Sequence, residues 1–125
     1  MKGLMMPRSS KPIVGVIGSR SITDINLDLF INPDHCGCIV SGGASGVDTL
    51  AEQFAKRNKI EFVCYPANWK LYGKKAGAIR NREIVEFADI IIAFHDGRSK
   101  GTLITLEYCK QMNVPYICHL IQQLD

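Results

Sequence analysis

Three short segments of this chain gather glycine with small polar and basic residues: Gly18-Ser19-Arg20, Ser41-Gly42-Gly43-Ala44-Ser45-Gly46-Val47-Asp48 and Gly97-Arg98-Ser99-Lys100-Gly101-Thr102. Glycine lets a backbone come close to a ligand and take up positive φ. Each segment follows an apolar run and precedes a helical pattern, and a helix start offers unpaired N–H groups and a partial positive charge to an anion. One such segment could be only a tight turn. Three of them, all at the same end of their apolar runs, point to a phosphate or carboxylate site. A basic stretch supports it: Lys70, Lys74, Lys75, Arg80 and Arg82 occur with no acidic residue among them. The lysines also suit a solvated surface, whereas Arg80 and Arg82, flanking Asn81 near a helix start, could grip a phosphate in bidentate fashion. Trp69 and Tyr72 are candidates either for partial core burial or for stacking on a base. The candidate ligand-binding residues are therefore Gly18, Ser19, Arg20, Ser41, Gly42, Gly43, Ala44, Ser45, Gly46, Asp48, Trp69, Arg80, Asn81, Arg82, Ser99, Lys100, Gly101 and Thr102. Asp48 could order the glycine loop, orient an arginine or merely favour its helix start.

Other chemistries are disfavoured. Neither GxGxxG nor GxxxxGK[ST] occurs, which argues against a typical dinucleotide dehydrogenase or P-loop NTPase, and no cofactor is expected. His35, Cys36 and Cys38 superficially resemble a metal cluster, but paired CxxC spacing is absent and Cys36-Gly37-Cys38 runs straight into Ile39 and Val40. Core packing is the better reading. No metal and no disulfide is expected at Cys36, Cys38, Cys64, Cys109 or Cys118.

These segments have to be positioned by alternating strands and helices. Ile13–Ile17, Cys36–Val40, Ile60–Tyr65, Ile90–Phe94 and Val114–Leu120 read as five strands. Helical spacing appears in Ile22, Ile25 and Leu29, in Val47, Leu50, Ala51, Phe54 and Ala55, over Ala76–Ala88, and in Leu103, Leu106, Cys109 and Met112. Ala67–Lys75 reads as a loop. Near-continuous apolar strands mean burial on both faces, and strand–helix alternation means a parallel sheet. The expected fold class is α/β: a single Rossmann-like three-layer sandwich with a five-stranded parallel sheet, its ligand outside the carboxyl ends of the strands. Residues 1–12 read as a flexible N-terminal tail and residues 13–125 as one nucleotide-binding domain.

Bulk properties agree. A chain of 125 residues with 46% hydrophobic and 22% charged residues suits one soluble domain. The net charge of +3 is too small to argue for nucleic acid by itself. No apolar run approaches the roughly 20 residues of a membrane span. With no signal-peptide pattern at the start, a cytoplasmic location and no membrane partner are expected.

Ser41–Asp48, Arg80-Asn81-Arg82 and Ser99-Lys100-Gly101-Thr102-Leu103-Ile104-Thr105, in that order, resemble the SLOG superfamily, which unites the DNA-processing protein A (Smf) and LOG families. The stretch Pro66–Asn81 is similar to the small stand-alone, YspA-like branch. The resemblance spans about residues 13–120. It implies a Rossmann-like fold that binds or senses a nucleotide or nucleotide derivative through a phosphate-binding loop. LOG-like members are nucleoside 5′-monophosphate phosphoribohydrolases with a catalytic arginine near Arg80 and a glutamate in GGxGTxxE. Thr105 stands where that glutamate belongs, so catalysis is disfavoured and no catalytic residue is assigned. Members like DNA-processing protein A bind single-stranded DNA, so single-stranded nucleic acid is a possible partner, third after a small nucleotide-like ligand and the N-glycosidase reading. The resemblance also implies a possible homodimer.

Overall fold

The structure is a computed structural model and describes residues 11–122. Five strands, β1 (Ile13–Gly18), β2 (Cys38–Ser41), β3 (Glu61–Cys64), β4 (Ile90–His95) and β5 (Tyr116–Leu120), form one parallel sheet in the order β3-β2-β1-β4-β5. Helices α1 (Val47–Arg57), α3 (Ala76–Phe87) and α4 (Lys100–Met112) connect them, with a single turn, α2 (Trp69–Tyr72), before α3. The expected Rossmann-like sandwich is present.

Alternation of side chains across the pleat divides the core in two. Val14, Val16, Ile39, Ile92 and Phe94 point to one face, where Val47, Ala51, Phe54 and Ala55 of α1 cover them. Ile17, Val40, Ile91 and Ala93 point to the other, under Ile84 and Val85 of α3 and Leu106 and Cys109 of α4. Chain order reverses direction between β1 and β4, which pair from Val14↔Ile90 to Gly18↔Phe94. The crevice outside their carboxyl ends is the place where such sheets bind ligands.

The structure corrects several expectations. Burial on both faces holds for β1, β2 and β4 only. The edge strands β3 and β5 are largely half-buried or exposed, with Ile117 at 48% exposure. No helix follows β1. Residues 27–29 and 33–35 form two 3-10 turns, because Asn26 Oδ1 accepts from the Asp28 N–H at 3.1 Å and Asn32 Oδ1 from the Asp34 N–H at 2.9 Å. These side chains offer the backbone an alternative to the helix. Ile22, Leu27 and Ile31 are buried there, while Leu29 is exposed. β2 begins at Cys38 rather than Cys36, although both thiols are buried as expected. The loop expected over 67–75 contains α2, capped by Asn68 Oδ1 accepting from the Leu71 N–H, and a 3-10 turn over Gly73–Lys75. On α4 the buried face is Thr102, Thr105, Leu106 and Cys109, and Leu103 is exposed.

Of the expected N-terminal tail, residues 1–10 lie outside the described residues. Pro12 is tied down, its carbonyl accepting from the Gly37 N–H at 2.9 Å. No helix among the described residues is long and apolar enough to cross a membrane.

Candidate functional site

Four connections converge outside the carboxyl ends of β1, β2 and β4: the turn after β1, the glycine loop before α1, the start of α3 and the turn before α4. They enclose a cleft of about 510 Å³. Gly18, Ser19, Arg20, Ala44 and Asp48 line one side, Arg80 and Asn81 the floor, and Ser99, Gly101 and Thr102 the far side. The glycine loop and the Gly101-Thr102 turn thus face a common cleft. A second, smaller pocket of about 300 Å³ opens beside it between Gly43, Ala44, Ser45, Pro66, Ala67 and Trp69. The two share Arg20, Ala44 and Arg80.

Arg80 is the centre of the arrangement. It is only 7% exposed, yet its Nε is buried with no hydrogen-bond partner. The guanidinium packs against Gly42 so closely that a Cβ there would lie 2.3 Å from Nη1. Gly42 therefore has no side chain because Arg80 occupies the space. Gly46 holds the loop's other end at φ +78°, with the Arg20 carbonyl oxygen 2.6 Å from where its Cβ would be.

Asp48 lies beneath the loop and orders it, its Oδ2 accepting from the Ala44 N–H at 3.0 Å. Burial pushes its carboxyl above the usual carboxylate range, against the lowering influence of Ser41, the Ala44 N–H and the Arg80 charge. The Ser41 geometry agrees. Its hydroxyl lies 2.6 Å from the Val16 carbonyl oxygen and 2.9 Å from Asp48 Oδ1. One hydroxyl proton cannot serve two acceptors. When the shorter contact takes it, the longer one needs a proton on Asp48.

Across the cleft, Asp96 is the opposite case. Its Oδ2 accepts from the Ser21 hydroxyl at 2.7 Å, and its Oδ1 from the Arg98 and Ser99 N–H groups, each at 2.8 Å. The Ser21 bond first, then the two N–H groups, hold its carboxyl well below the ordinary range. The Asp96 N–H in turn donates to Ser19 Oγ at 3.2 Å, joining the turns after β1 and β4.

Some candidates fall outside the cleft. Ser41, Gly42 and Gly46 are buried beneath or behind the loop. Arg82 is exposed and pairs with Glu86 at 3.3 Å, and Lys100 is an exposed first residue of α4. Residues 80 and 82 are about 200° apart around a helix, so both could not face one cleft. Ser21, Lys74, Gly77 and Ile104 line it without having been singled out. Lys74 was visible in the basic run, whereas nothing local marks the others. Thr105 is fully buried, its hydroxyl donating to the Gly101 carbonyl at 2.9 Å, and Glu107 is exposed and paired with Lys110. Among the described residues no cluster of three or more His, Cys, Asp or Glu could hold a metal.

The model of the YspA, cpYpsA-related SLOG family (YAcAr) matches residues 31–72, from the turn before β2 through the glycine loop to α2. The Gene 61 protein of Mycobacterium phage D29 is 39% identical over 85 residues, 63% of this chain and 68% of that protein. The chain belongs to the SLOG superfamily. Among solved structures, this SLOG domain superposes on DNA processing protein A from Streptococcus pneumoniae with a TM-score of 0.71 at 22% identity, over 92% of this chain and 52% of that one. It superposes on DNA processing protein A from Helicobacter pylori with a TM-score of 0.67 at 20% identity, over 90% and 66%. The chain thus spans about half of the first protein. The structure of the Helicobacter protein concerns its single-stranded DNA binding mode. At these identities the likeness establishes the Rossmann-like fold.

Proposed function

We propose that this SLOG domain binds or senses a nucleotide or nucleotide-derived ligand through its phosphate, at the carboxyl edge of β1, β2 and β4. The observation that carries the reading is Arg80, a buried guanidinium whose Nε has no partner and whose position is bought by a glycine at 42. A buried cation without a full set of acceptors is costly, and an anion in the cleft would supply them. The hydroxyls of Ser19 and Thr102 and the loop from Gly43 to Ser45 would complete the phosphate shell. Lys100 and Arg82 are the assigned residues with least support, since both point to solvent.

The test is calorimetric titration of a 5′-nucleoside monophosphate against the matching nucleoside. Phosphate recognition predicts that the nucleoside binds at least tenfold more weakly. Losing a charge-assisted bond is worth about 1.5–3 kcal/mol, so Arg80→Ala should weaken the monophosphate by roughly tenfold to a hundredfold. Equal affinity of wild type and Arg80→Ala would remove the assignment.

A second reading, single-stranded DNA binding, is favoured by the fold shared with DNA processing protein A, by Trp69 and Lys74 lining the two pockets and by the exposed lysines Lys70 and Lys75 nearby in sequence. It predicts an affinity that climbs with oligonucleotide length and falls steeply with salt. The LOG-like N-glycosidase reading lacks a carboxylate at position 105, where the buried threonine hydroxyl is spent on its own helix. Location in the cytoplasm, where nucleotides are available, and pairing into a homodimer remain parts of the proposal.

A further inference from the structure

The two compartments differ in chemistry, and the cations stand where they meet. The smaller one has an aromatic wall: Trp69 is half exposed, and the Arg20 guanidinium lies 6.0 Å from its ring centroid. Arg20 and Arg80 border both compartments. The larger one has no aromatic residue in its lining and is set with hydroxyls from Ser19, Ser21 and Thr102 around Asp96. Asp96 itself lines the cleft, its carboxylate held in place by Ser21 and by the Arg98 and Ser99 N–H groups. A fixed negative charge there repels phosphate and accepts from sugar hydroxyls. A mononucleotide would fill one compartment and leave the other to water, since each is large enough to hold a ligand fragment of its own.

We propose, building on the phosphate-binding reading above, that the ligand is a two-part molecule. A nucleoside base lies against Trp69 in the smaller pocket. A phosphate or pyrophosphate bridge lies between Arg20 and Arg80, and a hydroxyl-rich sugar beyond it occupies the larger cleft next to Asp96. The class is a nucleoside diphosphate joined to a second sugar. Flat stacking of the base would displace the Arg20 guanidinium from the Trp69 ring and bring it to the bridge, so that one movement opens the pocket and closes the charge.

Trp69 is the single tryptophan of the chain, so its emission reports the smaller pocket directly. The full chain is titrated with ADP, ADP-ribose, UDP, UDP-glucose, ribose 5-phosphate and oligothymidylates of increasing length, following tryptophan emission and heat. The expected result is that one sugar conjugate binds at least tenfold more tightly than its parent diphosphate and changes the emission, while ribose 5-phosphate leaves the emission unchanged. Asp96→Asn keeps the turn's acceptor at Oδ1 and should return the conjugate to the affinity of the diphosphate without altering the diphosphate itself. Trp69→Ala should weaken conjugate and diphosphate alike. Equal affinities of conjugate and diphosphate, or saturation without a change in emission, overturn the two-part ligand while leaving phosphate binding intact. Affinity that grows with oligothymidylate length beyond that of any conjugate overturns it in favour of a single-stranded polymer. Failure of every phosphate-bearing probe overturns the phosphate reading as well.

Discussion

Arg80 and Asp48 are both buried and both charged in their ordinary states; the Arg80 Nε has no hydrogen-bond partner, and burial raises the Asp48 carboxyl despite its contacts with Ser41 and the Ala44 N–H. This is a site built for something other than stability. Arg80→Met keeps most of the side chain's volume and removes the unpaired donor. It should leave the ligand-free protein as stable or more so, by up to about 2 kcal/mol, while weakening phosphate binding by roughly tenfold to a hundredfold. Chemical denaturation with and without nucleoside monophosphate checks both halves, and a large loss of stability would mean that Arg80 is structural. Asp48 makes a pH prediction. Burial raises its folded pKa above the ordinary aspartate value, so the folded state holds the proton more tightly than the unfolded chain. Its contribution to stability is then complete below about 3.8 and is lost as pH rises through the folded pKa. Asp48→Asn mimics the protonated form, donating to Ser41 Oγ and accepting from the Ala44 N–H. It should fold, and its stability should lack this decline as pH rises above about 3.8. A variant with the wild-type slope would place the titration elsewhere.

At the scale of elements, the glycine loop is the most constrained connection. Gly46 carries positive φ, and an added Cβ would meet the Arg20 carbonyl oxygen. Gly46→Ala combines backbone strain with a backbone clash and should cost roughly 2–4 kcal/mol, read as a lowered urea midpoint. It should also displace Arg20 and so weaken ligand binding. The strands were legible because unbroken apolar runs of Ile and Val have few other uses, and the loops because glycine clusters punctuate those runs. The segment after β1 misled because Ile22, Ile25 and Leu29 fit a helical stripe, while the Asn26 and Asn32 side chains, not the apolar spacing, decide the local backbone. Edge position was not legible either: nothing in Val114–Leu120 says that one side of the strand has no neighbour. In the site, Arg80, Asp48 and the loops could be read from residue type and place. Ser21 could not, because its role comes from Asp96, 75 residues away in sequence.

Strand order governs the behaviour of the cysteines across the whole molecule. Cys64 lies on β3 and Cys118 on β5, the two edges of the sheet, and both are exposed. Four strand spacings of about 4.8 Å separate them by roughly 19 Å, far beyond the ~7 Å that a disulfide can bridge. Cys36, Cys38 and Cys109 are buried, Cys36 and Cys109 in opposite layers of the core. Burial raises the thiols of Cys64 and Cys118 above their ordinary range and pushes Cys109 up to about 11. The thiolate is the reactive form, so alkylation should be slow at neutral pH and accelerate as pH rises. The native protein should therefore take up two equivalents of iodoacetamide, at Cys64 and Cys118, and three more only after unfolding. Mass spectrometry of the non-reduced protein should find all five thiols. Oxidation at high protein concentration should join chains to one another through the two edges rather than close a loop within one chain. A stoichiometric intramolecular disulfide, or a third fast-labelling cysteine in the native state, would contradict the strand order on which the placement of the cleft between β1 and β4 depends.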